Sequence, residues 1–490
     1  MAYDLLIVGG GINGCAIARE ASLNGLSVLL VERDDLGSHT SSASTGLIHG
    51  GLRYLEHYDF ALVREALRER ERLLKAAPHL IRPLTFVLPH ENAVRPWWMV
   101  RAGLHLYDWL GGRISLPRSR GLTRADAAFT APLKGDGRGF VYSDAQVDDA
   151  RLTLANAIDA ADNGARIATR TELRSARRGD GMWHAELSDG RSVDARALVN
   201  AAGPWVHLLD ERLGVTTRGG VRLVKGSHIV VPRLYDGDHA YILQLPDRRI
   251  IFAIPWQGMT EIGTTDIPVA RPEDATIGAD EVAYLCAGVS AHFRRSIAPA
   301  DVVASWSGVR PLYDDGEADA KAVTRDYVLE LDKGDGGRAG GAPLLSIFGG
   351  KITTARHLAE EALGRLGHPS RATRDRPFPG GDIADFAAFL AEVRRRWPFL
   401  GEERSARMAH AYGTRLESML AGVGDAEAMG ADLGGGLTQI EARWMRAREW
   451  AVTPDDALDR RSKLGVHMTP DQRAAFAGGW DALDDIGHRP

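Results

Sequence analysis

The chain has 490 residues, with 60 Lys and Arg against 65 Asp and Glu and a formal net charge of −5. This length suggests two or three domains with substantial cores, and the small acidic excess excludes a general nucleic-acid-binding surface. The two cysteines, Cys15 and Cys286, exclude a disulfide framework and fit a reducing compartment, and we predict no bound metal.

The first predicted elements form a dinucleotide-binding unit. An apolar strand over 4–8 runs into a glycine loop over 9–14, then a helix of small residues, then a second strand over 27–31. This is G-x-G-x-x-G with a strand before it, a helix after it and an acid, Glu32, at the tip of the next strand. The glycines let a pyrophosphate approach the helix N-terminus, and Glu32 is placed to accept from ribose hydroxyls. The predicted cofactor contacts are Gly9, Gly11, Ile12, Asn13, Gly14 and Glu32.

A second loop of small residues, 40–46, follows and leads into 47–54. Its hydroxyls and backbone N–H groups are suited to the far side of an extended pyrophosphate and a ribityl chain, which favours FAD over a nicotinamide cofactor. An ordinary solvent loop is the alternative, since Ser and Gly are common in loops. The predicted FAD contacts here are Thr40, Ser41, Ser42, Ser44, Leu47, His49, Gly50 and Gly51.

The next elements are predicted from the spacing of apolar residues and from the positions of prolines and small residues. Apolar spacing predicts a helix over 59–77 that ends before Pro78, and 80–136 is rich in Pro, Arg and Trp, which is typical of an excursion over the surface. A helix over 148–164 returns to the cofactor fold. The strand 197–200 is followed by small residues, where Ala202 and Gly203 bring the backbone back to the cofactor.

Residues 214–332 alternate in short strands, which predicts an antiparallel substrate sheet over the flavin. The segment 333–341 is typical of an exposed hairpin tip, and 344–348 is the strand that returns to the cofactor domain. The run 349–354 opens a helix whose N-terminal amides would face the flavin, with Gly350, Lys351 and Thr353 as predicted contacts. A Pro- and Gly-rich linker over 367–382 precedes a helical region, in which Thr453 begins one helix.

These elements predict an α/β + α fold. A Rossmann-like FAD-binding domain of the glutathione-reductase or D-amino-acid-oxidase type takes 1–80, 137–213 and 342–366. An antiparallel-sheet substrate or cap domain takes 81–136 and 214–341, and a C-terminal helical domain takes 383–490. The apolar N-terminus lacks a basic leader, so we expect a core strand rather than a signal peptide, and no stretch is long enough for a membrane-spanning helix.

Several runs, in order along three quarters of the chain, resemble the FAD-dependent glycerol-3-phosphate dehydrogenases, the respiratory enzymes that oxidise glycerol 3-phosphate to dihydroxyacetone phosphate. The glycine motifs are shared with many flavoproteins, whereas 53–54, 225–228 and 307–312 are more particular. The matching runs are 47–58, 142–144 with 148–152, 200–205, 225–230, 262–266, 307–312, 324–327 and 348–354.

The resemblance implies glycerol 3-phosphate as substrate, non-covalent FAD, a quinone as acceptor, no nucleic acid, and peripheral attachment to the inner face of the cytoplasmic membrane. A homodimer is also compatible with it. Two alternatives remain open. One is an oxidase of the same fold that uses O2 on glycerol phosphate or on an amine or amino acid, and the other is a non-catalytic flavin-binding sensor or scaffold.

Hydride transfer from a secondary alcohol to flavin needs an anchored substrate, a proton acceptor and stabilisation of the reduced ring. Arginine suits a phosphate dianion because of its planar fork. By resemblance, Arg53, Arg310 and Lys351 are the anchors, with Tyr54, Thr353 and Arg325 behind them. His228, on a strand of the substrate sheet, is the predicted base, and Arg310 and Lys351 complete the catalytic set. His49 is the competing base, and some related flavoproteins link FAD covalently through a histidine in this loop.

Two further regions bear on assembly. The run 95–101, followed by Trp109 and several arginines, places aromatics beside positive charge, as an anionic bilayer surface would require, although the tryptophans also suit a cap core. In the C-terminal region, 455–461 matches a family helix, but Asp459 stands where an aromatic is usual. This departure bears on assembly and membrane contacts and leaves the residues of the predicted chemistry unchanged.

Overall fold

A computed structural model describes residues 2–91, 95–135, 137–314, 326–334 and 341–483, without the side chains of Arg53, Glu56 and His57. The strands of the described residues are β1 (Ala2–Val8), β2 (Val28–Val31), β3 (Leu47–Ile48), β4 (Ile81–Pro89), β5 (Arg120–Gly121), β6 (Gly139–Val147), β7 (Arg166–Ala168), β8 (Leu173–Gly179), β9 (Met182–Leu187), β10 (Ser192–Asn200), β11 (Gly220–Val231), β12 (Ala240–Gln244), β13 (Ile250–Trp256), β14 (Met259–Gly263), β15 (Ile267–Pro268), β16 (Ala304–Asp314), β17 (Val328–Asp332) and β18 (Leu344–Phe348).

The α-helices of the same residues are α1 (Ile12–Leu23), α2 (Phe60–Ala76), α3 (Trp97–Leu110), α4 (Ala127–Thr130), α5 (Asp149–Asp162), α6 (Val206–Arg212), α7 (Ala279–His292), α8 (Ala355–Arg365), α9 (Phe386–Arg396), α10 (Gly401–Tyr412), α11 (Leu416–Met419), α12 (Gln439–Arg448) and α13 (Pro470–Gly479). None of them is long and apolar enough to cross a bilayer.

The first sheet has a parallel centre in the order β18-β10-β1-β2-β7, with β17 antiparallel to β18 at one edge. Strands β8 and β9 form a hairpin on β10. Parallel strands are buried on both faces, and β1 shows this. Leu5 and Ile7 pack with α1, α5 and α8, whereas Leu6 packs on the opposite face with Trp183 and Leu209. The carboxyl ends of β1 and β10 consequently meet at one edge, next to the glycine loop.

The second sheet runs β11-β14-β13-β12-β4-β6-β3. One side of β11 pairs first with β15 and then with β14, and its other side pairs with β16. Helix α7 covers one face, where Ile229, Leu285 and Val289 share a core. Alternation along β11 puts His228 on the other face, which is the face turned towards the cofactor loop. The helical C-terminal region has its own core, which includes Met408 and Trp444.

The predicted α/β + α architecture is confirmed: an α/β unit with a parallel-centred sheet, a second strand-rich unit and a helical C-terminal region are all present. The predicted helices over 59–77 and 148–164 correspond to α2 and α5, and the returning strand 344–348 is β18. The tip over 333–341 falls partly outside the described residues.

Two expectations were wrong in detail. The region 80–136 is not only a surface excursion, since β4 pairs with both β6 and β12 inside the second sheet. Prolines at 83 and 89 and Arg82 made this strand look like a loop. The domain boundary predicted at 137 would put β6 with the cofactor domain, whereas β6 lies in the second sheet. The remaining boundaries stay predictions.

Candidate active site and dinucleotide cleft

Two glycines of the loop after β1 lie so close to neighbouring backbone that a Cβ would overlap it. Gly9 has φ +113°, and a Cβ there would overlap the carbonyl oxygen of Ala201. A Cβ on Gly14 would overlap the carbonyl of Gly9. Helix α1 therefore starts directly against the ends of β1 and β10, which leaves its first N–H groups facing the place predicted for a pyrophosphate. The Ile12 N–H donates to the Ser41 hydroxyl at 2.9 Å, so the two small-residue loops meet here.

Glu32 lies buried beside this loop and lines a cavity of about 320 Å³. Its carboxylate accepts hydrogen bonds from the Gly10 N–H at 2.6 Å and the Asp34 N–H at 2.8 Å. Burial raises the pKa of Glu32. Ala202 and Gly203, predicted from the end of β10, line the same cavity. The size and position suit the adenosine half of a dinucleotide.

The other end of the cleft is closed by residues that follow β18. The Asn13 amide donates to the Gly349 carbonyl at 3.0 Å, which ties the first glycine loop to the turn before α8. Gly350 has φ +99°, and a Cβ there would press against the Asn13 amide. The Asn13 Oδ1 and the Lys351 Nζ are buried, and neither has a hydrogen-bond partner among the described residues.

Lys351 meets the loop predicted to lie by the flavin. Its Nζ lies over the Tyr54 ring, and a Cβ on Gly51 would overlap that ring. Gly51 also has φ +74°, which favours glycine. The Thr353 hydroxyl accepts from the His49 N–H at 3.3 Å. The predicted substrate residues Tyr54, Lys351 and Thr353 are thus brought together. The Arg53 side chain and the whole of Arg325 lie outside the described residues, so their roles stay predictions.

The face of the second sheet that is turned towards the cofactor loop carries His228 on β11 and Arg310 on β16. Two glycines make room for them. A Cβ on Gly263 would overlap the His228 imidazole, and a Cβ on Gly226 would overlap the Arg310 guanidinium. Glycine within a strand often marks such a close approach, and this was the available sequence signal.

Arg310 is held in place by two residues that were not predicted as part of the site, Asp266 and Thr264. Its guanidinium donates to Asp266 at 2.6 Å and to the Thr264 hydroxyl at 3.1 Å. The side chain remains 38% exposed, so one edge of the fork is accessible to a ligand. Gly308, two residues before Arg310, contacts Ala43 of the cofactor loop, which places this sheet face directly against that loop.

His228 is almost fully buried. Its Nε2 lies 3.0 Å from the Thr45 hydroxyl, and its ring stacks on Trp306. Nδ1 has no hydrogen-bond partner among the described residues. Burial, together with the charge of Arg310, lowers the pKa of His228 to about 3, so the imidazole is neutral at working pH and has a lone pair to accept a proton. Burial likewise lowers the pKa of His49 to about 4, so the competing base is not eliminated by charge state.

A buried polar network supports the turn at Gly50. The Gly50 N–H donates to the Tyr107 hydroxyl at 2.8 Å, and that hydroxyl donates to Asp144 at 2.9 Å. Arg70 pairs with the same carboxylate at 2.7 Å. Burial raises the pKa of Asp144 to about 6, against the opposing effect of Arg70. In the sequence, Asp144 was noted only as part of a run that resembles the family, and no role at the site was predicted for Tyr107. The two residues are far apart in sequence and meet only in the folded chain.

Two side-chain hydroxyls that were predicted to contact the cofactor donate hydrogen bonds to the protein instead. The Thr40 hydroxyl donates to the Val309 carbonyl at 2.7 Å, and the Ser44 hydroxyl donates to Asp149 at 2.7 Å. These bonds fix the loop against β16 and α5, so a cofactor would meet its backbone more than these two side chains. Ser42 and Leu47 lie on the same loop and the short strand β3, and their contacts to FAD stay predictions.

The arrangement fits FAD. It offers a close approach to the start of α1 over glycines that leave no room for a Cβ, a buried carboxylate at one end, and at the other end two buried polar atoms, on Asn13 and Lys351, without hydrogen-bond partners among the described residues. An extended dinucleotide with a polar ring system would fill the cleft and give the Asn13 and Lys351 atoms hydrogen-bond partners.

Comparison with known proteins gives the same cofactor class. The family model described as FAD dependent oxidoreductase matches residues 4–361. Among curated proteins, the chain is 50% identical to a glycerol-3-phosphate dehydrogenase of Pseudomonas aeruginosa, with 100% of this chain and 96% of that protein aligned. It is 47% identical to a D-erythritol 1-phosphate dehydrogenase of Brucella abortus, over 98% of this chain and 97% of that protein.

A solved structure has the same fold. The glycerol-3-phosphate dehydrogenase of Bacillus halodurans, complexed with FAD, aligns with a TM-score of 0.71 and 24% identity. The alignment covers 100% of this chain and 97% of that one, so the helical C-terminal region is included.

Proposed function

The chain belongs to the family of FAD-dependent oxidoreductases, and from this premise we propose that it oxidises sn-glycerol 3-phosphate to dihydroxyacetone phosphate and passes the electrons to a quinone. The assignment of the substrate is supported by the 50% identity to a relative named glycerol-3-phosphate dehydrogenase, which is aligned over nearly its whole length. The acceptor and the roles of individual residues are part of the proposal.

When bound, FAD supplies the acceptor for the hydrogen and electron pair that leave the substrate carbon. Residues 9–14, Glu32 and the turn at Gly350 hold it. Arg310 and Lys351 bind the phosphate, and their charges exclude uncharged polyols. His228 accepts the proton of the C2 hydroxyl, and its burial keeps water away from the reacting atoms.

One observation carries this assignment: the Arg310 guanidinium folds back over Gly226 on the sheet face that also bears His228. Gly226 is two residues from His228, roughly 7 Å along a strand. A phosphate held by Arg310 would therefore lie on the same sheet face as the imidazole, about two residues along the strand. This is the arrangement that a phosphorylated secondary alcohol needs.

D-erythritol 1-phosphate is a second candidate substrate, favoured by the 47% identical relative that is named for it. It has the same phosphate and a chain one carbon longer. A phosphate clamp and a base would accept both molecules, so the distinction depends on the room beyond the reacting carbon. Paired cationic groups speak against the amine and amino-acid branch of the oxidase alternative, because those substrates bring no phosphate.

The test is anaerobic mixing of the FAD-loaded protein with each compound while the flavin absorbance is followed. We expect prompt bleaching by glycerol 3-phosphate and no bleaching by glycerol or by a panel of amino acids. Faster bleaching by D-erythritol 1-phosphate would reassign the substrate. A flavin that no phosphorylated polyol bleaches would contradict the dehydrogenase and favour the sensor. Adding a quinone, or air with detection of peroxide, then separates dehydrogenase from oxidase.

Peripheral membrane attachment is part of the same proposal, and α3 supports it. Trp98 and Trp109 are 67% and 70% exposed, and 11 residues, close to three helical turns, separate them, so both indoles point the same way. Trp97 instead stacks on Phe140, which fits the alternative of a cap residue. Replacing Trp98 and Trp109 with Ala should weaken sedimentation with anionic vesicles, whereas Leu208→Ala, an exposed apolar residue on α6, should not. Equal sedimentation of both variants would contradict attachment through α3. A homodimer stays a prediction.

A further inference from the structure

A buried carboxyl group, that of Glu261, lies beside the proposed base His228. Glu261 is on β14, diagonal to His228 across the β11–β14 pair, because His228 is opposite Gly263 and Val230 is opposite Glu261. The missing side chain at Gly263 lets the imidazole lie over β14 and reach towards Glu261. The Oε1 of Glu261 is 3.7 Å from the His228 Nε2.

Glu261 is unusual among the buried acids of this protein. It is 2% exposed, and its Oε1 has no hydrogen-bond partner among the described residues. Most buried carboxylates here, such as Asp144 and Glu449, have an arginine within 3 Å. An unpartnered buried carboxyl is costly, which points to a use that needs it there.

The carboxyl group also faces an aqueous route. Glu261 and Trp306 line a groove of about 700 Å³ that runs between the second sheet, the outer side of the loop 38–46 and the C-terminal region. His228 does not line this groove. Glu261 therefore stands between the buried imidazole and the solvent-filled groove.

Burial and two charged groups set the protonation of Glu261. Burial raises its pKa, Asp149 at the start of α5 adds to this and Lys463 of the C-terminal region opposes it, so that the pKa is about 8. On its other side lies the imidazole of His228, whose pKa is lowered by burial and by Arg310, so that it is neutral. Below about pH 8 the carboxyl group is protonated, and above it the carboxylate is available to accept a proton.

We propose that Glu261 is a positioning and proton-relay residue for His228, a role that rests on the proposed function. Its carboxylate, with Thr45, keeps the Nε2 of His228 as the donor, so that Nδ1 carries the lone pair. In the oxidation, the C2 hydrogen and its electron pair go to FAD, and the hydroxyl proton goes to Nδ1 as the C2–O bond becomes a ketone. The proton on Nε2 passes to the carboxylate of Glu261 and from there to water in the groove. The distance of 3.7 Å is one that shortens readily once substrate fixes the ring.

The test uses the FAD-loaded protein and the pH dependence of anaerobic flavin reduction by glycerol 3-phosphate. In the wild type the rate should rise through about pH 8, because only ionised Glu261 accepts the proton. Glu261→Gln copies the protonated form at every pH, so its rate should stay low, roughly tenfold or more below wild type above pH 8, with no rise. Glu261→Asp should restore part of the rise. Substrate affinity and FAD content should not change in either variant.

A measurement without turnover keeps the test independent of activity. Histidine-labelled protein gives an NMR signal for His228, identified by its loss in His228→Gln. That signal should shift with an inflection near pH 8 in the wild type, and Glu261→Gln should abolish the inflection. A His228 signal that is flat through this range in the wild type, or an unchanged pH–rate profile in Glu261→Gln, overturns the inference. A wild-type flavin that glycerol 3-phosphate fails to reduce refutes the proposed function instead, while the NMR titration still decides the pairing.

Discussion

The ammonium group of Lys351 lies 4.0 Å from the centre of the Tyr54 ring, and no described residue accepts a hydrogen bond from it. A cation–π contact recovers only part of what a buried ammonium loses on leaving water. Lys351 is therefore poised for an anion, and either the substrate phosphate or the electron-rich edge of the cofactor ring supplies one.

Lys351→Met should lower kcat/KM for glycerol 3-phosphate by roughly a hundredfold or more, because the charge is lost while the aliphatic length is kept. Steady-state kinetics with an artificial acceptor measure this. Lys333→Met, at an exposed lysine after β17, is the matched control and should behave as wild type. Equal effects of the two substitutions would remove Lys351 from the site.

Arg310→Ala should raise KM and depress kcat while FAD stays bound, because Arg310 anchors substrate and contacts Asp266 and Thr264 rather than the glycine loop. The flavin content of the purified variant and its kinetics give both readouts. Arg295→Ala, an exposed arginine that donates to the Arg233 carbonyl, is the control. Unchanged kinetics would mean that the phosphate binds elsewhere.

Tyr107→Phe should both destabilise the protein and slow flavin reduction. It leaves the buried Asp144 with one partner fewer and the Gly50 N–H without its acceptor, a loss of about 1–3 kcal/mol. Urea unfolding and stopped-flow reduction measure the two effects. Tyr284→Phe removes a comparable hydroxyl from a surface contact with Asp247 and should do neither. Loss of stability with wild-type reduction would confine Tyr107 to a structural role.

Acid should loosen the contact between the C-terminal region and the cofactor domain. The His410 Nδ1 meets the His79 carbonyl at 2.9 Å, and burial lowers the pKa of His79 to about 3 and that of His410 to about 4. Both are below the ordinary value of 6.5, so the stability they contribute is fully present above pH 6.5 and is lost as the pH falls towards 4. At one pH unit below 6.5, each buried neutral imidazole lowers the free energy of unfolding by roughly 1 kcal/mol.

Urea unfolding at neutral pH and one unit below the ordinary histidine value would show that loss. His79→Gln should reduce the difference between the two pH values, whereas His105→Gln on the exposed side of α3 should leave it as in the wild type. A wild-type stability that is the same at both pH values would contradict the buried neutral state of these imidazoles.

Arg151 and Glu449 form a buried bidentate pair, with distances of 3.1 and 2.9 Å, between α5 and the C-terminal region. Arg151→Met should cost about 3–5 kcal/mol, because it leaves a buried carboxylate without its main partner. The double variant with Glu449→Leu should recover part of this. Arg396→Met breaks an exposed pair with Glu417 and should cost below about 1 kcal/mol. Similar losses in the buried and exposed pairs would refute the argument.

Local signals predicted elements that the structure brings together around one cleft, whereas their contacts to FAD stay predictions. The glycine loop, Glu32 and β18 are read from spacing within a few residues, so their positions could be derived before the fold was known. The strand β4 was missed because its prolines and Arg82 are local signals against a strand, whereas its pairing partner β6 lies about 50 residues or more later in the chain. Pairs such as Tyr107 with Asp144, or His228 with Glu261, depend on register between strands and helices that no local pattern records.

Asp35 follows β2 near the start of the chain, yet the cations that meet it are Arg460 and Arg461, the latter 426 residues later, at 2.6 and 2.7 Å. The finished protein leaves this carboxylate only 1% exposed. Translation delivers the first sheet long before those arginines leave the ribosome. A nascent chain that already has every glycine of the cofactor loop still has an uncompensated acid next to it. The contact that completes the surroundings of Asp35 therefore forms only after the last seventh of the chain has been made, and it joins the first residues synthesised to some of the last.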